Sequence, residues 1–196
     1  MIQAPAEFGL LLTLAYLIGS IPFAVVVSRL KKIDLTKVGS GNFGATNVYR
    51  AMGIYYAILV FSLDVLKAAF VTYLSMISFE SEIIHILIGF FAIIGHTFSL
   101  YLGFRGGKGV APAAGVFAVL TPIPLAITFV ITISMILLFR IVSLASLTAA
   151  VSFPILLYFF NESKLLIYFV SIVSFFIVLT HRSNIRRLIQ GKENKI

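Results

Sequence analysis

The chain has 196 residues, 60% of them hydrophobic and only 11% charged, with no cysteine and a formal net charge of +8. Soluble domains are about 45–50% apolar and about 25% charged, and a chain this short has no core large enough to hide the surplus, so much of its surface must face lipid. The absence of cysteine excludes thiol nucleophiles, disulfides and thiolate metal sites.

A helix needs about 20 apolar residues to cross a bilayer. The first apolar run, residues 8–28, follows Glu7 and precedes Arg29, Lys31 and Lys32. That order of charge does not suit a cleaved leader, so the run is expected to remain as the first span. The glycine- and amide-rich stretch "SGNFGATNVYR", residues 40–50, separates it from the second run, 54–77. Asp64 and Lys67 lie inside that second run at i, i+3 spacing. An ionisable group at the bilayer centre costs about 2.5–3.5 kcal/mol, and pairing on one helix face lessens the cost. The pair either binds substrate or clamps helices, and its mid-span position, away from the other polar stretches, favours the clamp.

A third run, 83–103, leads into "GHTFSLYLGFRGGKGVAP", residues 95–112. The run 110–139 is long enough for one tilted span or for a hairpin, and the prolines in "LTPIPL" favour a break at its centre. Runs 141–160 and 165–180 follow, the first preceded by Arg140 and carrying "SLAS", and the chain closes with "HRSNIRRLIQGKE", residues 181–193. Lys and Arg collect on the cytoplasmic side of membrane proteins. With a hairpin in 110–139 there are seven spans and an external N-terminus, and all of the 15 basic residues except Lys67 and Lys164 fall in cytoplasmic segments. A single span there would move Arg140 and the basic C-terminus outside. The expected fold is therefore an all-α integral membrane bundle of seven transmembrane helices, one domain over 1–196, with a cytoplasmic C-terminus. The positive charge then reflects orientation and anionic headgroups, not nucleic acid.

Under this topology the four polar stretches share the cytoplasmic face, which suggests one site. Glycines let backbone N–H groups approach an anion with tetrahedral oxygens, and a glycine turn opening a helix adds the positive end of its dipole. "RGGKG", residues 105–109, has this form, with Lys108 as a point charge and Arg105 beside it. Arg50 closes the first loop and has a guanidinium suited to phosphate oxygens. The pattern is not a P-loop, because Leu102 and Gly109 stand where a glycine and a Ser or Thr are required. Taken singly, each loop fits a tight turn as well as an anion cradle. His181 and Asn184 are three apart, as are Ser143 and Ser146, so each pair suits one helix face. For His181 the alternatives are a general base, a phosphate ligand or an interfacial histidine, and for the serines they are ligands or back-bonded packing residues. The three histidines, His85, His96 and His181, have no metal-ligand spacing.

Taken together, "SGNFGATNVYR", "GHTFSLYLGFRGGKGVA" and "HRSNIRRLIQGKE" resemble the three signature regions of the bacterial acyl-phosphate:glycerol-3-phosphate acyltransferases of the PlsY type. "RIVSLAS" and "SLDVLKAA" extend the likeness over nearly the whole chain, with Ala68 standing where a glycine is expected. The resemblance implies transfer of a fatty acyl group from acyl phosphate to the 1-hydroxyl of glycerol 3-phosphate, at the cytoplasmic face of the bacterial inner membrane. It implies no cofactor or metal, no obligatory protein partner, and membrane lipids as surroundings. No His-x-x-x-x-Asp dyad is present, so the thioester-type acyltransferase mechanism is not expected.

Carried onto these positions, the family implies His181, Lys108, Arg50 and Asn184 as catalytic residues. Ser40, Arg50, Lys108, Ser146, His181 and Asn184 would surround glycerol 3-phosphate, and Ser143 and Arg105 would also bind substrate. Gly41, Asn42, Gly44, Thr46, Asn47, Gly106, Gly107 and Gly109 would shape the loops and offer hydrogen bonds. Acyl phosphate would place its headgroup at the turn of Arg105 and its chain in lipid. The base is either His181 or a substrate phosphate. A transporter for a small phosphate-bearing anion is the rival from another class, and polar groups confined to one face speak against it. A lipid phosphotransferase would need metal-binding carboxylates, and the cytoplasmic loops hold only Asp34 and Glu193.

Overall fold

A computed structural model describes residues 5–196; residues 1–4 of the expected single domain lie outside the described residues. The chain folds into α1 (Pro5–Ser20), α2 (Phe23–Leu30), α3 (Ala45–Met52), α4 (Ile54–Ser78), α5 (Glu82–Thr97), α6 (Val110–Leu120), α7 (Pro122–Phe139), α8 (Val142–Phe159), α9 (Lys164–Thr180) and α10 (Arg182–Ile189), with no strand among the described residues. Five stretches are long and apolar enough to cross a membrane: Pro5–Leu30, Ile54–Ser78, Glu82–Leu102, Pro122–Phe139 and Val142–Phe159. A sixth is formed if α9 and α10, bent by 61°, count as one, and α6 is apolar but shorter. Leu66, Phe70 and Ile77 on α4, Leu137 and Leu138 on α7, and Ile172 and Phe175 on α9 are all more than half exposed. Such a coat suits hydrocarbon and is wrong for water. The expectation of an all-α integral membrane protein holds.

The chain divides into two compact units, Met1–Leu120 and Thr121–Ile196. In the first, α1 packs on α5 and α4 packs on α6 and α3. Small residues permit the close approach that membrane helices rely on. A β-carbon on Gly95 would run into the Tyr16 carbonyl, and one on Gly115 into that of Val65. In the second unit α8 packs against both α7 and α9. Arg140 ends α7 in the left-handed conformation at φ 59°, and its carbonyl accepts the Ile196 amide at 2.8 Å, which ties down the chain end.

The break expected inside 110–139 is present: α6 ends at Leu120 and α7 restarts at Pro122, the first helical position, where a missing N–H costs nothing. The first apolar run differs from the single continuous helix expected. It stops at Ser20 and resumes at Phe23, because Pro22 supplies no amide and crowds the preceding turn. In lipid a carbonyl freed by such a break must find another donor. Lys67 Nζ donates to the Ile21 carbonyl at 2.7 Å, and Ser99 Oγ to that of Ser20 at 2.6 Å.

Candidate active site

The first polar stretch is half loop, half helix. Gly44 is the N-cap of α3, so "ATNVYR" is helical where a loop was expected. Asn47, in the first turn, is 1% exposed and organises the segment. Its Oδ1 accepts from the Ser40 amide at 3.0 Å and from Ser40 Oγ at 3.4 Å, while Nδ2 donates to the Leu35 carbonyl at 3.1 Å. Gly39 has φ 56°, and a β-carbon there would sit 2.5 Å from Asn47 Oδ1 and 3.0 Å from Arg50 Cδ. Only glycine lets the strand of loop lie so close above α3. Ser40 is exposed, and Gly41, Asn42, Gly44, Thr46 and Arg50 are half-buried.

The second stretch is held from beneath. Tyr16 Oη donates to the Phe98 carbonyl at 2.8 Å, and Ser99 is bonded to Ser20 as above. The turn of Arg105, Gly106, Gly107, Lys108 and Gly109 then folds back on the end of α5, where the Gly107 amide donates to the His96 carbonyl at 3.2 Å. Gly109, at φ 87°, offers its carbonyl to the Ala113 amide at 3.0 Å and so opens α6. That is the glycine turn ahead of a helix expected from the sequence, with the dipole's positive end at the turn. Arg105 is exposed and Lys108 half-buried. Asn42 Nδ2 donates to the Gly106 carbonyl at 3.4 Å, so the two loops meet within the first unit.

Beneath them lies the intramembrane pair. Lys67 Nζ is 2.6 Å from Asp64 Oδ1, with Asp64 2% and Lys67 6% exposed. A third group, missed by sequence reasoning, completes the arrangement: His96 Nδ1 stands 3.2 Å from Lys67 Nζ and 3.5 Å from Asp64 Oδ1. An ammonium only donates, so toward Lys67 the Nδ1 atom is placed as an acceptor. His96 also carries the carbonyl that receives Gly107. The expectation that the pair lies away from the glycine loops is therefore corrected. His96 opens the very stretch singled out for its glycines, one residue after Gly95, and its link to α4 needed the fold.

The second unit holds a separate cluster. His181 ends α9 and leads into α10, and Asn184 lies in that helix; each is 4% exposed. His181 Nδ1 is 2.8 Å from the Ile177 carbonyl. A carbonyl only accepts, so Nδ1 bears the proton and the lone pair of the neutral ring is on Nε2. The sequence shows no carboxylate to orient this ring, and a backbone carbonyl one turn back does so. Asn184 Nδ2 donates to Glu193 Oε1 at 2.8 Å and Arg187 Nε to Glu193 Oε2 at 2.7 Å. Burial pushes the Glu193 carboxyl up, but the bonds from Arg187 and Asn184 outweigh it and hold the group below the usual carboxylate range. Glu193 is no site candidate in the sequence, where it reads as a lone acid in a basic tail. Ser143 and Ser146 are both buried on α8, and Ser146 Oγ donates back to the Val142 carbonyl at 3.0 Å, the packing role weighed for it. Among the described residues no group of three or more His, Asp or Glu is placed to hold a metal ion.

A helical chain with this apolar coat, whose buried polar groups sit at glycine turns and helix breaks, is an integral membrane protein. The chain belongs to the glycerol-3-phosphate acyltransferase family, whose model matches residues 9–191. It is 42% identical to the glycerol-3-phosphate acyltransferase 2 of Bacillus anthracis over 95% of this chain and 98% of that one. The glycerol-3-phosphate acyltransferase of Aquifex aeolicus is 39% identical over 94% of this chain and 97% of the relative. The crystal structure of PlsY, an integral membrane glycerol 3-phosphate acyltransferase, in its glycerol 3-phosphate form superposes with a TM-score of 0.94 at 38% identity, covering 97% of this chain and 96% of that one. Its lysophosphatidic acid form gives a TM-score of 0.91 at 36% identity, with the same coverage.

Proposed function

We propose that this protein transfers a fatty acyl group from acyl phosphate to the 1-hydroxyl of glycerol 3-phosphate, releasing lysophosphatidic acid and inorganic phosphate. The observation that carries the reading is the likeness, over 97% of the chain, to one acyltransferase known in both a glycerol 3-phosphate and a lysophosphatidic acid form. The meeting of two glycine loops through Asn42 and Gly106 supports a phosphate cradle on the first unit. Residues 1–196 act as one domain, in keeping with a family match that runs through both units.

Seven helices cross or enter the bilayer: Pro5–Leu30, α4, α5, the short α6, α7, α8 and α9. The N-terminus lies outside and the polar loops face the cytoplasm of a bacterial inner membrane, as the distribution of Lys and Arg supports. The family resemblance assigns Ser40, Arg50 and Lys108 of the first unit, and Ser143, Ser146, His181 and Asn184 of the second, to glycerol 3-phosphate. Gly41, Asn42, Gly44, Thr46 and Asn47 shape the first loop. Arg105, Gly106, Gly107 and Gly109 receive the headgroup of acyl phosphate, whose chain remains in lipid. No protein partner is required.

The glycerol hydroxyl oxygen attacks the acyl carbonyl carbon, the carbonyl carbon's bond to the phosphate oxygen breaks, and phosphate departs with that electron pair. The hydroxyl proton passes to His181 Nε2, the atom that carries the lone pair when Nδ1–H donates to the Ile177 carbonyl. Lys108 and Arg50 offset the charge on the phosphates. Phosphate is a good leaving group, so orientation supplies much of the acceleration, and no acyl-enzyme forms.

Purified protein in detergent, given acyl phosphate and labelled glycerol 3-phosphate without added metal, should release phosphate and form labelled lysophosphatidic acid. No product there, with anion flux in liposomes, would point to a transporter instead. His181→Gln should lower kcat by about 10²–10⁴-fold, the usual worth of a general base. A variant that kept its turnover and lost only affinity for glycerol 3-phosphate would pass the base role to a substrate phosphate.

A further inference from the structure

We infer that the buried chain Asp64–Lys67–His96 is a positioning device for the 105–109 turn, and that His96 is the residue through which it acts. Lys67 Nζ is ion-paired with Asp64 Oδ1 at 2.6 Å, donates to the Ile21 carbonyl at 2.7 Å and stands 3.2 Å from His96 Nδ1. These contacts fix the rotation of the imidazole. Its opposite edge lies against the turn, where a β-carbon on Gly107 would strike Nε2 and one on Gly106 would strike the His96 carbonyl. The same carbonyl takes the Gly107 amide. Backbone and side chain of one residue thus set the height and the tilt of the glycine pair.

The ion pair supports the turn as well as joining helices. Phe23, Phe43, Asp64, His96, Ser99 and Gly107 line a single crevice beneath the loops, so a movement of Lys67 is felt at Gly107 through one ring. A helix clamp alone would not require the third acceptor to sit under a substrate loop. Naming the affected substrate as acyl phosphate rests on the reading above that this turn receives its headgroup.

The decisive experiment is a double-mutant cycle between His96 and Gly107, with KM measured separately for acyl phosphate and for glycerol 3-phosphate. His96→Ala should raise KM for acyl phosphate and lower kcat/KM by about 10–100-fold, the scale of a misplacement near 1 Å, with KM for glycerol 3-phosphate little changed. Gly107→Ala should do the same, because its methyl group needs the space the ring occupies. The double variant should be less impaired than the product of the two single effects, since removing the ring makes room for the methyl. Independent, multiplicative losses would overturn the inference, as would a His96→Ala enzyme with wild-type constants. Gly107→Ala leaves the buried pair intact and tests the same contact even if His96→Ala fails to fold.

Asp64→Leu with Lys67→Met replaces the pair by apolar groups of similar size. The Ile21 carbonyl loses its donor, so the thermal midpoint should fall, and a raised KM for acyl phosphate, measured well below that midpoint, supports the positioning role. A variant with a lowered midpoint and unchanged kinetics returns the pair to a clamp and overturns it. If the His96 variant raises only the KM for glycerol 3-phosphate, positioning stands and the assignment of acyl phosphate to this turn falls.

Discussion

Removal of the Glu193 carboxylate tests how the second unit holds Asn184. The group accepts two hydrogen bonds, from Asn184 Nδ2 at 2.8 Å and Arg187 Nε at 2.7 Å. Its side chain is 2% exposed, whereas that of Arg187 is 32% exposed. Hydrogen bonds to a charged group contribute about 1.5–3 kcal/mol, and the Arg187 bond is discounted toward about 1 kcal/mol because water reaches the guanidinium. Glu193→Ala should therefore cost about 2–4 kcal/mol. At about 2–4 °C per kcal/mol for a chain of this size, the thermal midpoint in detergent should fall by about 5–15 °C. Without the Glu193 carboxylate, the Asn184 amide should also shift from its set orientation, raising KM for glycerol 3-phosphate.

The pH dependence has a definite sign. The folded carboxyl is held below its ordinary value, so its contribution is fully present above the unfolded pKa of about 4.3 and is lost as pH falls through the lower folded value. Wild type should lose this increment on acidification below about pH 4.3, while Glu193→Gln, with nothing to protonate there, should show a flatter profile over that window. A Glu193→Ala protein melting within about 1 °C of wild type with unchanged kinetics would refute the reasoning. So would a Glu193→Gln protein with the wild-type loss in acid.

Three further outcomes follow from the first unit. Asn47→Ala removes the acceptor of the Ser40 amide and the donor to the Leu35 carbonyl; it should cost about 1–3 kcal/mol and raise KM for glycerol 3-phosphate in steady-state assays. Gly95→Ala pushes a methyl group into the Tyr16 carbonyl and should destabilise by about 1–3 kcal/mol, read as a lower thermal midpoint. Gly9→Ala in the same helix pair meets nothing within 4 Å, so melting should show it neutral or stabilised by up to about 1 kcal/mol.

What the sequence discloses and what it conceals divide by distance along the chain. The helices α4, α5, α7, α8 and α9 are legible because apolar length is a local property, and the break before Pro122 because proline acts on its own turn. The turn ahead of α6 is legible for the same reason. The break at Pro22 is hidden because a proline within an apolar run is tolerated wherever another element takes up the freed carbonyls. That donor, Lys67, is 46 positions away. "ATNVYR" reads as loop since its polarity hides a helix of only eight residues. His96 and Glu193 do not stand out because their partners are set by packing.

One consequence of the break connects the fold to the site. Irregular backbone at membrane depth survives only where protein groups satisfy it. Here Lys67 and Ser99 do so, and neither stops there. Lys67 also holds His96, and Ser99 also starts the segment that runs into the glycine turn. A residue lost from this set leaves both a buried carbonyl without its donor and the glycine turn without its seat. Stability and substrate affinity should then fall together for Lys67 variants, whereas variants of the turn itself should lose affinity alone. A membrane protein with few polar residues to place has let one set both close the backbone break and seat the glycine turn, and that is why the intramembrane charge in α4 belongs with the loops above it.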